Sequence, residues 1–212
     1  MLKIIRVFQI VSAITFLSAL MPGLYADQFG VDFSNTSGAT SLGNPPFTLG
    51  WEFTVSTTIQ VNELAFYDDG ENGLADSHEI GIWNSSGTLV ASGTVLAGTA
   101  SPLVDQFREV AVSATLGAGD YFIGALFVDG NDPVWFPGSS LTDFSSAPGI
   151  TYDGATFAGG GSLADPTTAD SSPGFFGADF SFSSTPEPSS VALLGTLLVA
   201  VLFAFRKLAA AR

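Results

Sequence analysis

Across residues 27–184 the chain runs in short apolar segments cut by clusters of Gly, Asn, Asp, Ser and Pro, and no stretch keeps a helical period of apolar residues. Segments of this kind cannot form helices long enough to pack, whereas each gains one apolar face when extended. Phe176, Ala178, Phe180 and Phe182 alternate with Gly177, Asp179 and Ser181; Ile59 and Val61 alternate with Gln60 and Asn62, and Ile80 and Ile82 with Glu79 and Gly81. The pattern predicts strands over 31–33, 51–55, 58–67, 79–84, 88–95, 107–113, 120–128 and 175–182. Asn84-Ser85-Ser86-Gly87 reads as a hairpin turn, and Gly117-Ala118-Gly119-Asp120 as a tight turn into a buried strand. Residues 137–173, rich in Gly, Ser, Ala and Pro, read as surface loops with one short strand near 150–152. No Lys follows Gly159-Gly160-Gly161, so this is not a phosphate-binding loop. The fold class expected is all-β, an antiparallel two-sheet β-sandwich of jelly-roll or immunoglobulin-like type.

Composition removes most chemistries. The 212 residues include no Cys and one His, which excludes disulfides, thiolate metal sites and Cys nucleophiles, and leaves zinc and triad chemistry without their usual residues. The formal charge of −14 argues against nucleic acid, because affinity for phosphate backbones comes from Lys and Arg. Position sharpens the charge: residues 27–187 hold one arginine, Arg108, against twenty acids, a formal −19. The other basic residues, Lys3, Arg6, Arg206, Lys207 and Arg212, sit in the terminal segments.

Those segments read as addresses. Two early positive charges, an apolar run over 7–20 and Met21-Pro22-Gly23-Leu24-Tyr25-Ala26 follow the order of a secretory signal peptide, with cleavage expected after Ala26, so that residues 1–26 are removed. At the other end Pro186-Glu187-Pro188 precedes an apolar run over 191–205 and then Arg206-Lys207. Fifteen helical residues span ~22 Å against a hydrocarbon core of ~30 Å, a short transmembrane helix whose basic flank would hold the tail on the cytoplasmic side.

In these three ordered parts, residues 185–212 resemble the PEP-CTERM sorting signal. The resemblance implies export across the inner membrane and recognition by an exosortase, a membrane enzyme that removes the tail. It also implies a cell-surface or extracellular-matrix destination in a bacterium that secretes exopolysaccharide; an unremoved tail would leave a membrane anchor. A second resemblance lies in the stretch from Leu64 to Asn84, followed by Gly87-Thr88-Leu89-Val90-Ala91-Ser92 and Phe107-Arg108. It is similar to a β-sandwich domain of unknown function that recurs in exported PEP-CTERM proteins, over about residues 51–128. This supports a sandwich without enzymatic activity and brings no ligand.

Three constellations remain as candidate sites. Asp68, Asp69, Glu71, Asp76 and Glu79 crowd into twelve residues with no cation nearby in sequence, so their repulsion needs relief. Asp68, Asn72, Asp76 and Glu79 fall at calcium-loop offsets 1, 5, 9 and 12 around Gly73, a hard-oxygen set suited to Ca²⁺, although offset 3 is Gly70 and strands flank the loop; a solvated hairpin connection is the alternative. His78, in the same loop, has no nucleophile or orienting partner recognisable in sequence, and reads as a turn residue. Trp135, between Pro133 and Pro137, is the tryptophan expected to be exposed and able to stack on a sugar ring. The functional expectation is a non-enzymatic exported protein of the cell surface or biofilm matrix. The alternative is a polysaccharide-binding module, with or without calcium, and a glycan-acting hydrolase using a carboxylate pair is the third reading.

Overall fold

Every strand pairing in the described part of the chain is antiparallel, as short connections between consecutive extended segments require. The structure, a computed structural model, describes residues 27–34, 39–43, 45–138 and 141–184, together with Gly195. Fifteen strands follow in chain order: β1 (Gln28–Phe29), β2 (Val31–Phe33), β3 (Ala39–Thr40), β4 (Phe47–Val55), β5 (Ile59–Tyr67), β6 (His78–Asn84), β7 (Leu89–Val95) and β8 (Leu103–Val104). They continue with β9 (Phe107–Leu116), β10 (Gly119–Phe127), β11 (Val134–Trp135), β12 (Phe144–Ser146), β13 (Ile150–Gly159), β14 (Thr168–Ala169) and β15 (Ala178–Ser184). Five strands form one sheet in the order β1-β15-β5-β9-β8, and six form the other in the order β14-β13-β4-β10-β6-β7; β11-β3 and β12-β2 are two-stranded additions.

The two large sheets bury their alternating apolar residues against each other, giving a β-sandwich. Trp51 and Phe53 of β4 meet Phe180 of β15, with ring centroids 5.9 and 5.0 Å apart, and Trp51 Nε1 donates to the Ala178 carbonyl at 2.8 Å. A buried indole N–H without a partner would cost about 1–3 kcal/mol, so this bond across the core fixes how β4 lies over β15. Ile59, Val61, Leu64 and Phe66 from β5, Ile80 and Ile82 from β6, and Ile123, Ala125 and Phe127 from β10 complete the interior.

Strand alternation also predicts that Asp179 and Ser181 face away from this core, and they do not face water. Both are buried because the N-terminal segment folds over β15: Gly30 N donates to the Phe180 carbonyl at 2.9 Å and Val31 N to Asp179 Oδ2 at 3.3 Å. Asp179 also accepts from its neighbour Phe180 N at 2.7 Å. Burial pushes its carboxyl well above the ordinary carboxylate range, against the pull of backbone N–H groups from Phe180, Val31 and Gly30. A second aromatic group builds around Phe33, which lies against Tyr67, Phe107, Trp135 and Phe176.

The eight expected main strands are present with shifted ends, and residues 150–159 differ from expectation. The sequence reading stops a short strand near residue 152, but β13 continues through ten residues and pairs with β4 from Ile150↔Val55 to Gly159↔Phe47. A bulge between Tyr152 and Gly154 breaks the alternation, and Gly154 takes φ +154°; half a strand of Gly, Ala, Thr and Asp then hides its pairing from any apolar pattern. The signal peptide over 1–26, the Pro186-Glu187-Pro188 motif, the apolar run 191–205 and Arg206-Lys207 lie outside the described residues, Gly195 apart. Among the described residues no helix is long and apolar enough to cross a membrane.

Candidate functional site

The acidic loop after β5 obtains its cation from a distant strand. Asp68 is buried, and its Oδ2 accepts from Arg108 Nε at 2.7 Å and from Gly73 N at 2.9 Å. Arg108, on β9 beside the pairing of Tyr67 with Phe107, also donates to the Ser101 carbonyl at 2.9 Å. The sole arginine of residues 27–187 therefore serves as the buried counter-charge of the loop, the role its planar fork suits best. Asp76 Oδ2 accepts from Asn131 Nδ2 at 3.1 Å, Glu79 is an exposed residue of β6 opposite Thr94, and Asn72 ends the short 3-10 turn Asp69–Glu71.

This corrects the calcium-loop reading of Asp68, Asn72, Asp76 and Glu79. Asp68 turns inward to a guanidinium and a backbone amide, Glu79 belongs to a strand, and among the described residues no three His, Asp or Glu side chains gather so as to hold a metal ion. Repulsion in the loop is relieved by an arginine that lies forty residues away in sequence.

His78 is likewise no turn residue. It opens β6, is buried, and stacks on Phe66 with centroids 3.6 Å apart and planes 3° from parallel. Its Nδ1 lies 3.1 Å from the Leu126 carbonyl and its Nε2 3.0 Å from Asp132 Oδ2. Asp132 also accepts from Ala75 N and Asp76 N, both at 2.8 Å. Although burial raises it, the His78 hydrogen bond and those two amides hold the Asp132 carboxyl below its ordinary value. Both imidazole nitrogens are thus taken up, one by a backbone carbonyl and one by a carboxylate. The pair clamps the 72–77 loop to the loop carrying Asp132 and leaves no imidazole nitrogen for a substrate.

Trp135 is not an exposed platform either. It is 2% exposed, stacked on Phe33 at 4.4 Å and 3°, and its backbone exchanges hydrogen bonds with Phe176. The flanking prolines confine it to a two-residue strand, and the aromatic group around Phe33 buries it there.

A cavity among the described residues lies elsewhere. It measures about 530 Å³ and collects Asp27, Asp32, Glu63, Asp105 and Glu109 with the hydroxyls of Ser145, Ser146 and Ser181 and the ring of Phe29. Local backbone irregularities aim these groups. The pairing of β5 with both neighbours slips around Asn62, next to Glu63, and bulges redirect side chains in this way. Asp105 sits at φ +50° in the tight turn joining β8 to β9. Segment 145–148 is held over the sheet by Ala147 N donating to the Gly30 carbonyl at 3.0 Å.

No basic side chain lines this cavity, so its charge is relieved by protons. Burial first, then the neighbouring charge of Glu63, push Glu109 up to about 7; Ser181 pulls it down, and Asp27 and Asp105 add to the rise. The Ser181 hydroxyl donates to Glu63 Oε2 in a short hydrogen bond. Ser181 thus lies between the two carboxyls, donating to Glu63 and drawing Glu109 down while burial and the Glu63 charge raise it. Such a surface accepts hydrogen bonds from ligand hydroxyls, repels anions and can donate a proton near neutrality.

Sequence reading missed this site because its members are spread from Asp27 to Ser181 and are convened by a bulge, a turn and the N-terminal segment. The one local signal was Glu63, a charge interrupting the alternation of β5. No curated protein and no solved structure matches this chain. Residues 34–117, from just before β3 to just past β9, match the family model of a domain of unknown function, DUF4082.

Proposed function

We propose that this chain is an exported, non-enzymatic β-sandwich protein of the cell surface or extracellular matrix. In this reading residues 1–26 direct export, and an exosortase recognises Pro186-Glu187-Pro188 with the apolar run and Arg206-Lys207. The observation that carries it is the segregation of charge: five of six basic residues flank the two terminal apolar runs, while residues 27–187 carry twenty acids and one arginine. Basic flanks orient apolar segments in a membrane, and a strongly acidic, Cys-free domain keeps its solubility outside the cell. Expression of the full chain with and without a co-expressed exosortase tests it. Loss of about the last 28 residues on co-expression is expected, and its abolition by Glu187→Ala; an intact tail in both would overturn the sorting claim.

A second reading, a polysaccharide-binding module, is favoured by the acidic cavity. Its carboxylates and serines accept hydroxyls, Phe29 offers a ring face, and 530 Å³ suits one or two sugar rings. Calorimetric titration of the full chain with neutral and amino-sugar oligomers, with and without Ca²⁺, decides it. Saturable heat lost in Glu63→Gln and Glu109→Gln supports the cavity; binding unaffected by either sinks it. Release of reducing sugar during the titration would favour the hydrolase reading instead.

A further inference from the structure

The outer face of the six-stranded sheet carries a floor of very small residues. One rung crosses all six strands as Ala169, Thr156, Gly50, Gly124, Gly81 and Ser92. Gly124 and Gly81 alternate with the core residues Ile123 and Ile82 and so face outward, while at Gly50, next to Trp51, a Cβ would meet the Ile123 carbonyl of the adjoining strand at 1.7 Å. A Cβ at Gly124 would lie 2.8 Å from Thr48 Cγ2 and 3.0 Å from Pro166 Cγ, and one at Gly81 would lie 2.5 Å from Trp83 Cη2. The next rung sets Glu52 opposite Phe122 and Phe122 opposite Trp83. The result is a shallow trough with Phe122 and Glu52 at its edge and the Trp83 ring lying over Gly81.

The chain's own segment 160–170 lies in that trough. It leaves β13 and binds β4 through Ala164 N, which donates to Thr48 Oγ1 at 3.0 Å. It then lays Pro166 on Gly124 and brings Asp165 Oδ2 within 3.4 Å of a Cβ built at Gly87, in the β6–β7 turn, before returning to pair β14 with β13. This cover is poorly satisfied. Thr156 Oγ1, on a residue 2% exposed in the floor, and Asp165 Oδ1, in the strap, are buried without a hydrogen-bond partner. Leaving a buried polar atom unpaired is unfavourable, and a permanent cover would be expected to pair it.

We propose that segment 160–170 is a strap that lifts to open the trough to a neutral saccharide chain. Sugar CH faces stack on Phe122 and Trp83, and hydroxyls pair with the orphaned oxygen of Thr156 and with Glu52. Charge selects against other polymers. Asp120 and Asp153, which share the Thr54 hydroxyl at 3.0 and 2.7 Å, stand beside Glu52 and repel anionic chains. A peptide strand would need an open sheet edge, and this is a face. The inference extends the saccharide-binding reading to the sheet opposite the acidic cavity, and rests on that reading for its ligand class.

Because the chain has no Cys, Thr48→Cys with Ala164→Cys creates a single disulfide that locks the strap where the Ala164–Thr48 hydrogen bond now holds it. The full chain is titrated in zwitterionic detergent with cellohexaose, maltohexaose and mannohexaose. The reduced double variant is expected to bind at least one of them, the oxidised form at least tenfold more weakly, and Pro166→Gly several-fold more tightly than wild type. Equal binding by oxidised and reduced forms, sensitive to Glu109→Gln, would overturn the strap and leave the saccharide reading at the cavity. Absence of binding by wild type, reduced and Pro166→Gly proteins alike would overturn both. Melting curves of the locked and reduced forms verify that each is folded, and a folded locked form that binds normally counts against the strap.

Discussion

Two acidic clusters flank the same pair of strands and are neutralised in different ways. At the ends of β5 and β9, Asp68 receives a guanidinium and a backbone amide and is sealed from water. On the same strands, Glu63 at the middle of β5 and Glu109 beside Arg108 on β9 receive a serine hydroxyl and a proton, and remain at the wall of a cavity. A fixed cation makes an acid a structural anchor with nothing left to offer a ligand. A proton leaves it exchangeable, able to trade its partner for a ligand hydroxyl. With one arginine available, the fold can seal one cluster only, and the other keeps its chemistry.

The sharpest way to break this contrast is Arg108→Met, which strands the Asp68 carboxylate in the interior. A loss of about 3–5 kcal/mol in urea unfolding is expected, with much of it recovered in Asp68→Asn/Arg108→Met, because removing both charges removes the unpaired one. Next is Asp132→Asn, which weakens three charge-assisted bonds to His78, Ala75 and Asp76. It should cost about 2 kcal/mol. Because the Asp132 carboxyl lies below its ordinary 3.8 in the fold, the wild-type contribution is present at neutral pH. It disappears as the pH falls through that lowered value, and the variant should lack this acid limb.

Glu109→Gln probes the proton-relieved cluster and acts at the other end of the pH scale. The folded carboxyl titrates at about 7 against an ordinary 4.5, so the fold binds this proton more tightly than the unfolded chain. The resulting stability is full below about 4.5 and is lost as the pH rises to 7. Solvent screening of this partly exposed group limits it to about 1 kcal/mol. The glutamine variant should flatten the decline in melting temperature between pH 5 and 8; an unchanged decline would rule out the raised Glu109 carboxyl. Smallest is Glu71→Gln, an exposed acid of the sealed loop, whose effect should stay within about 0.5 kcal/mol because Arg108 contacts its carbonyl and not its carboxylate.

What was legible in the sequence follows the same division. Strands such as β6 and β15 announce themselves because their apolar residues alternate toward one core. β13 stayed hidden because a bulge at Gly154 and a run of small residues erase the alternation. The buried side of β15 was illegible for another reason: Asp179 and Ser181 look like solvent-facing residues, and only the fold-over of residues 28–33 covers them. At the sites, sequence proximity misled twice. It grouped Asp68 with Asp76 and Glu79 when the partner of Asp68 was Arg108, and it exposed Trp135 on the strength of two neighbouring prolines. The cavity acids are united by a slipped register at Asn62, which composition cannot encode.

The pairing of β1 with β15 carries a mechanical consequence. Gln28 lies opposite Phe182, so the described domain begins and ends at neighbouring rungs of one sheet. Force pulling the two ends apart meets the two β1–β15 residue pairs and then the Gly30–Phe180 and Val31–Asp179 bonds, opened one after the other like a zipper. Force applied at Ser184 against the body of the domain loads seven β15–β5 pairs together in shear. A protein tethered through its C-terminal side would thus hold under drag while its N-terminal strand peels easily, and peeling would uncover Asp179 and Ser181.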